Sequence, residues 1–458
     1  MNIRNLHLIK NSRGTFAYYY PTYNIISIDE LSYKILASLK KKVRIEDIAY
    51  QYHMTIDEVK FLISPIFNIQ DTIDKQQLKN EDTNRRYIKR ITLHVSNDCN
   101  LRCKYCYASG GNYTQKRIMM STNTALSFVD FCVENFDKIE NIVFFGGEPM
   151  LNIPVMELIC AKFKELHTED KLKHLPNFAI ITNGTIFNQK ILSFLKNNIS
   201  IITVSIDGPK EINDYNRIHI NGKGTFNEIS KFIRTIKNET NIKINFESTY
   251  TKEHLLRGYN HRNIISYLKK EFDITGFVED EKQTETLKMK QNINLVNFDN
   301  LVNEKFTSIP IPFKNILLTL IRKQATPICN ITKTIFSVSA NGDIYPCHMC
   351  VGEQQNCLGN INSDNIFNNL NYRNKAQSVF TLKNNKQCKK CWANQFCGGC
   401  ALYIFYNDET KTFSKYPQKD ICEYYKKQIE DILTMIVEIR KNPMLWNMLV
   451  KEMVKNKK

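Results

Sequence analysis

No run of apolar residues in this chain is long enough to cross a bilayer; Asn315–Ile321 falls far short of the ~20 residues a membrane helix needs. The N-terminus, MNIRNLHLIKNSRG, has no apolar h-region and no small-residue cleavage site, so the chain reads as unexported and cytoplasmic, with no membrane partner. Blocks of like charge are scarce too. The net charge is +17, yet only Lys40, Lys41, Lys42 and the last residues cluster. Solvated lysine-rich faces explain this first, an acidic peptide partner second and nucleic acid third. At 458 residues the chain exceeds one ordinary core and should hold two or three domains. A hydrophobic fraction of 42% and a charged fraction of 24% are those of a globular protein. What is abundant is cysteine. Fourteen thiols in a chain without an export signal point to metal or catalysis, because disulfides do not persist in a reducing cytosol. Cys132 and Cys160 are exceptions: both sit in apolar helical patterns and read as small core residues.

Residues 1–80 read as a small separate unit. Three short runs, Leu6–Lys10, Thr15–Tyr20 and Asn24–Ile28, are split by turn residues and predict a three-stranded meander. Asp29 then opens a helix with Leu31, Ile35, Leu36 and Leu39 on one face. Two more helices follow, over Arg44–Tyr52 and from Ile56 behind the capping box Thr55-x-x-Glu58. The order is that of a winged helix. Residues 71–88 are polar and make a linker, so removing residues 1–80 is expected to expose little core. From residue 89 strands alternate with helices. Strand candidates are Arg90–Val95, Asn141–Phe145, Phe178–Thr182, Ile201–Ser205 and Lys243–Thr249, with helices such as Ser121–Phe136 and Gln189–Asn197 between them. This is an α/β pattern of repeated βα units, hence a parallel sheet or barrel with functional loops at the C-terminal strand ends. Beyond residue 320 periodicity fades and cysteines take over, and Glu423–Val454 reads as one amphipathic helix before a basic tail.

Directly after the first of these strands stand Cys99, Cys103 and Cys106, in a CX3CX2C loop. Three thiolates can ligate three irons of a cubane and leave the fourth iron open to a chelate. Structural zinc needs four closed ligands, and no fourth lies at suitable spacing; His94 is on the strand. With aromatic Tyr105 before the last cysteine, the loop resembles the signature of the radical S-adenosylmethionine superfamily. That resemblance implies a partial (β/α)6 barrel, a [4Fe–4S] cluster and S-adenosylmethionine bound at its open iron. Later segments match in order. Gly146, Gly147 and Glu148, with Pro149, are similar to the family's GGEP, where Glu148 would pair with the methionyl ammonium. Asn183 lies in a turn resembling the ribose-contacting one, Ser205 and Asp207 follow the next strand to contact ribose and carboxylate, and Arg217 resembles the carboxylate-binding arginine. Each turn alone has an ordinary structural reading. The core implied spans residues 89–310.

Cys388, Cys391, Cys397 and Cys400 would by themselves read as a zinc ribbon. Cys329, Gly342 and Cys347 upstream, in CX12GX4C, and Cys422 downstream make the region resemble the SPASM extension, here over residues 320–425, with residues 426–458 behind it. The resemblance implies two auxiliary [4Fe–4S] clusters. One would take Cys329, Cys347 and Cys400; the other would take Cys388, Cys391, Cys397 and Cys422. A fourth ligand for the first would come from Cys350 or Cys357, or one iron is open. The gap between Cys397 and Cys400 is one residue shorter than the family's usual three.

SPASM proteins mostly modify ribosomal peptides, and the N-terminal unit resembles the winged-helix domain that holds a precursor's leader against its third strand and third helix. The reading is therefore a peptide maturase that installs a cross-link, a thioether first, using an electron donor such as a ferredoxin or flavodoxin. An anaerobic sulfatase-type maturase that forms formylglycine is the runner-up. It usually carries an acidic base after the cysteine corresponding to Cys347, where this chain has His348. A zinc-stabilised nucleic-acid-binding protein is the reading from another class, and the strand-end loops argue against it. Three cysteine sets predict that anaerobically reconstituted protein holds about three cubanes. Iron and sulfide analysis of the Cys99→Ala/Cys103→Ala/Cys106→Ala variant should show the loss of one, with reductive S-adenosylmethionine cleavage abolished.

Overall fold

Period-two alternation assigns the two faces of the main sheet. Ile91, Leu93 and Val95 of β4 (Tyr87–Ser96) share one core with Ile142 and Phe144 of β5 (Lys138–Gly146) and Phe178 and Ile180 of β6 (Asn177–Thr182). Ile202 and Val204 of β7 (Ile201–Ser205) and Ile244 and Phe246 of β8 (Lys243–Tyr250) continue it. The helices Thr122–Asn135, Ile153–Thr168, Gln189–Asn198, Phe226–Glu239 and His261–Phe272 bury their apolar stripes on that face. Cys132 and Cys160 lie in this core with no exposed surface. With β9 (Thr275–Asp280), strands β4 to β9 are six parallel neighbours in chain order, the partial (β/α)6 barrel. The computed structural model describes residues 3–67, 86–281, 298–303, 305–306, 309–325, 329–363, 385–398, 400–407 and 409–455. Most of the linker and the end of the basic tail lie outside these.

Two departures concern the C-terminal region. Instead of losing regular structure, the chain after residue 329 extends the barrel sheet. Strand β10 (Ile335–Val338) pairs in parallel with β4 on the side away from β5, and β11 (Asp343–Tyr345) and β12 (Gly359–Asn360) add antiparallel strands. Strands of two to four residues carry too few side chains for a periodic signal. The single terminal helix is also two, Lys419–Lys441 and Pro443–Lys455. Asn442 is extended, at φ −109° and ψ 104°, because the ring of Pro443 disfavours helical backbone in the residue before it.

The N-terminal unit has the predicted elements: β1 (Leu6–Asn11), β2 (Gly14–Tyr19) and β3 (Asn24–Ile28), then α1 (Glu30–Lys40), α2 (Ile45–Gln51) and α3 (Ile56–Phe67). Asp29 caps α1 and the Thr55–Glu58 box caps α3. Leu31, however, is 36% exposed. One face of the sheet packs Leu6, Ala17 and Tyr19 on Ile35, Leu36, Ile48 and Val59. The other face is where the expectation of a separable unit fails. Ile9, Phe16, Tyr18 and Ile25 share a core with Phe313 and Leu317 of the helix Ile311–Arg322 and with Ile432, Leu433 and Ile436 of Lys419–Lys441. The unbroken apolar run Phe16-Ala17-Tyr18-Tyr19 is the sequence mark of a strand buried on both faces. Tyr18 donates to Gln395 Oε1 at 2.7 Å, His7 shares 2.7 Å with Glu430, and the His7 ring stacks on Trp392 at 3.7 Å.

Deletion of residues 1–80 should therefore bare this shared core. The expected outcome is earlier thermal unfolding and new binding of an apolar dye. Tyr18→Ala alone should cost about 3–5 kcal/mol, read from denaturant unfolding of the full chain.

Candidate active site and cysteine clusters

Strand ends bring the signature residues together. Gly146 closes β5 at φ +138°, and a Cβ there would collide with the Ser96 carbonyl at the end of β4; one at Gly147 would collide with the Asp98 carbonyl. Only glycines allow this approach. It lets Gly147 N donate to Ser96 O and Glu148 N to Asp98 O, each at 2.8 Å, which anchors the chain just before Cys99. The cysteine loop is also zipped to a distant segment: Arg102 N donates to Ile218 O at 2.7 Å and Lys104 N to Asn216 O at 3.0 Å. Arg217 between those two acceptors is thereby set beside the loop.

The donor set suits an iron–sulfur cluster. Backbone N–H groups point at two of the three sulfurs, Leu101 N at Cys99 Sγ and Gly110 N at Cys106 Sγ, both at 3.4 Å. Such bonds stabilise a ligating thiolate. Without a cation, burial pushes the Cys99 thiol up to about 12 and Cys103 to about 11, so these thiols give up their protons only to a metal. Among the described residues no three His, Cys, Asp or Glu side chains close around a single ion. A cubane holds its ligands apart by its own width, so three thiols need only face a common space.

Tyr105, Asp207 and Arg217 form a buried unit. Tyr105 donates to Asp207 at 2.8 Å, Arg217 Nη1 donates to the Tyr105 hydroxyl, and Arg217 stands 3.7 Å from Asp207. The Arg217 Nε is buried and lacks a hydrogen-bond partner among the described residues, an orphaned donor that suits an incoming carboxylate. Asp207 also accepts from Thr249 N at 3.2 Å, so its carboxylate faces protein, while Ser205 at the end of β7 is half-buried toward the lumen. Glu148 is held more tightly than its expected role requires. It accepts from Met150 N at 3.0 Å, Thr182 Oγ1 at 2.8 Å and Asn183 N at 2.8 Å, tying β5 to β6, while burial pushes its carboxyl up. Asn183 in turn accepts from Thr185 and donates to Asn100 Oδ1 at 2.9 Å. Sequence reasoning missed Asn97, buried two residues before Cys99 with neither side-chain amide atom partnered among the described residues, and Tyr113, whose hydroxyl donates to Gly146 O at 2.9 Å. A polar residue directly after an apolar strand was the available signal for Asn97.

The second cysteine field separates into two groups. Cys347 lies within electrostatic reach of Cys400 and Cys329, and burial pushes its thiol up to about 12. Cys422 faces Cys388 and Cys391 instead. Those three and Cys397 line a cavity of about 340 Å³, while Cys400 does not. The ribbon quartet is thus divided by tertiary structure. Asn385 Nδ2 donates to Cys388 Sγ at 3.3 Å, again the kind of bond a ligating sulfur receives. Cys350 and Cys357 are buried in an apolar cluster with Tyr345, Leu402 and Tyr406, against which Cys106, Cys347 and Cys400 pack. The wall of the 340 Å³ cavity also includes Arg4, His7, Tyr20 and Lys40 of the N-terminal unit. Lys40 donates to the Leu6 carbonyl, so it is turned away from any surface patch with Lys41 and Lys42.

The sequence model of the Radical SAM superfamily matches residues 93–267, and that of the SPASM iron–sulfur cluster-binding domain matches residues 329–392. The chain is 24% identical to the radical SAM cyclopropyl synthase TigE of Paramaledivibacter caminithermalis, over 93% of this chain and 94% of that protein. It is 32% identical to an uncharacterised protein of Methanocaldococcus jannaschii, over 61% of this chain and 90% of that one. A cysteine-type anaerobic sulfatase-maturating enzyme of Clostridium perfringens is 27% identical over 76% of this chain and 97% of its own. The solved structure of anSMEcpe with bound AdoMet shares the fold, with a TM-score of 0.60 and 21% identity over 79% of this chain and 98% of that chain.

Removing the Glu148 side chain should leave three buried donors unpaired, at about 1–3 kcal/mol each. Glu148→Ala is expected to lower both the thermal midpoint and the iron content. Arg217→Ala should keep its iron and weaken S-adenosylmethionine binding, measured by equilibrium dialysis under anaerobic conditions.

Proposed function

The chain belongs to the Radical SAM superfamily and carries a SPASM iron–sulfur cluster-binding domain, and on that premise we propose that it matures a ribosomally made precursor peptide by closing a cross-link within it. A thioether is the first reading. The observation that carries the peptide assignment is the aromatic-lined barrel lumen beside which Cys106 and Cys347 pack against one apolar cluster, with His348 6.5 Å from Tyr107. Phe145 is packed against both His94 and His348, at ring distances of 5.2 Å. When bound, the cluster and S-adenosylmethionine supply a 5′-deoxyadenosyl radical that abstracts hydrogen. Cys99, Cys103 and Cys106 would hold the cluster, Arg217 would orient the methionyl carboxylate through its free Nε, and the Tyr105–Asp207 pair would keep that arginine in place. The auxiliary clusters would be held by Cys329, Cys347 and Cys400 and by Cys388, Cys391, Cys397 and Cys422.

The three-stranded sheet ends at β3, which pairs only with β2 among the described residues, so an extended leader could add there as a further strand. An electron donor of the ferredoxin or flavodoxin type would complete the system. No helix among the described residues is long and apolar enough to cross a membrane. Carbon–carbon ring closure is the second reading, favoured by the likeness to a cyclopropyl synthase along nearly the whole of both chains.

Co-expression with a short peptide encoded beside this chain tests the assignment. Mass spectrometry should show loss of two hydrogens. Failure of a thiol reagent to label the product's cysteine identifies a thioether; full labelling at that mass identifies ring closure on carbon. An aldehyde reactive toward a hydrazide identifies formylglycine. An unmodified peptide would sink the reading.

A further inference from the structure

Strand alternation turns Arg90 and His94 of β4, Phe145 of β5 and Glu247 of β8 away from the helix-side core and into the barrel lumen. Phe246 and Ser248, the neighbours of Glu247, are buried on the opposite face. Tyr107 of the cysteine loop and His348 close the lumen at this level, their rings 6.5 Å apart. Tyr107 lies within electrostatic reach of both Glu247 and Cys347. Glu247 and Cys347 thus both lie near Tyr107, the residue that follows Cys106. Its carboxylate forms no hydrogen bond or ion pair among the described residues. His94, which also faces the lumen, is wholly buried, and neither of its ring nitrogens has a hydrogen-bond partner among the described residues. Buried polar groups are normally satisfied, and a carboxylate kept for structure would have been paired. A buried imidazole without partners and a half-buried carboxylate without an ion pair among the described residues, both turned into the lumen from β4 and β8, point to partners that arrive with a substrate.

We propose that Glu247 accepts the proton released by the peptide residue being modified. The proposal rests on the peptide-maturase reading. Bond closure with loss of two hydrogens sends one to the 5′-deoxyadenosyl radical as an atom. The second leaves as a proton: an O–H bond forms on Glu247 and an X–H bond of the peptide breaks. The electron pair of that bond stays on X and enters the new bond to the radical carbon. The one surplus electron passes to an oxidised iron–sulfur cluster. The residue after Cys347 is His348, so no carboxylate stands at that position to take the proton.

The groups facing Glu247 come from five directions: Glu279 of β9, Arg217, Arg90 of β4, Asp207 after β7 and Tyr107 of the cysteine loop. Burial first, then the like charge of Glu279, push the carboxyl up to about 7, with Arg217 and Arg90 pulling it down and Asp207 adding to the rise. A base in that range serves near neutral pH. Because the ionised form is the active one, product formation should fall as pH drops through about 7 and level off above it.

The test compares wild type, Glu247→Gln and Glu247→Asp as full-length, anaerobically reconstituted proteins acting on the deuterated precursor peptide encoded beside the chain. Glu247→Gln should keep its iron and still move deuterium into 5′-deoxyadenosine. Its product rate should fall by about 100-fold or more, with the acid limb gone. Glu247→Asp should retain part of the rate with the acid limb displaced. A Gln variant with unchanged product per 5′-deoxyadenosine and an unchanged acid limb overturns the proposal. If Gln substitution costs iron, the Asp variant decides, and an undisplaced limb there overturns it equally. A wild type that cleaves S-adenosylmethionine yet leaves the peptide unmodified fails the maturase reading itself, and proton acceptance with it.

Discussion

The backbone contact between Gly146-Gly147 and Ser96–Asp98 leaves no room for a side chain, and the geometry of the signature loop depends on it. The end of β5 lies against the end of β4 because those two glycines have no Cβ, and the bonds to Ser96 O and Asp98 O then hold the chain that leads into Cys99. Glu148 extends the contact to β6 through Thr182 and Asn183, and Asn183 reaches Asn100 inside the cysteine loop. Three strand ends and the loop thus form one connected polar network, roofed by Tyr113 on Gly146. Such a network is worth more than its separate bonds, since Ser96, Glu148, Thr182 and Asn183 at its centre are buried.

Charge is arranged around that frame with the same economy. Burial raises the Cys99 and Cys103 thiols, so a ligating cation must displace their protons, which links cluster assembly to folding. Arg217 is the guanidinium beside the first cysteine set, paired to Asp207 through Tyr105 and left with one free donor. The lumen beyond it carries Arg90, Glu247 and Glu279, so the space between the cysteine fields is polar and holds both signs of charge.

The N-terminal unit belongs to this organisation more closely than its lack of cysteine implies. Its sheet is buried on both faces, and His7 and Lys40 stand at the cavity lined by Cys388, Cys391, Cys397 and Cys422. A unit that binds a peptide at its free edge would therefore do so while forming part of a cysteine site's wall.

The amino-acid sequence alone determined the class of fold and the type of chemistry. Period-two and period-3.6 patterns set out the βα units, and the CX3CX2C spacing with GGEP, the turn at Asn183 and then Asp207 followed at strand ends, with Arg217 after the helix Lys210–Asn216, because those signals are local. A division of the second cysteine field into two ligand sets was implied only by a family resemblance; by spacing Cys388, Cys391, Cys397 and Cys400 read equally as a ribbon. Tertiary structure decided the rest. Which face of β2 meets the helix Lys419–Lys441, which strand end Glu148 ties down, and that His348 packs on Phe145 all depend on residues about 30 to 420 positions apart in the chain. Local propensity carries no information about such pairs, since long-range packing, burial and backbone closeness arise only once the sheet has closed.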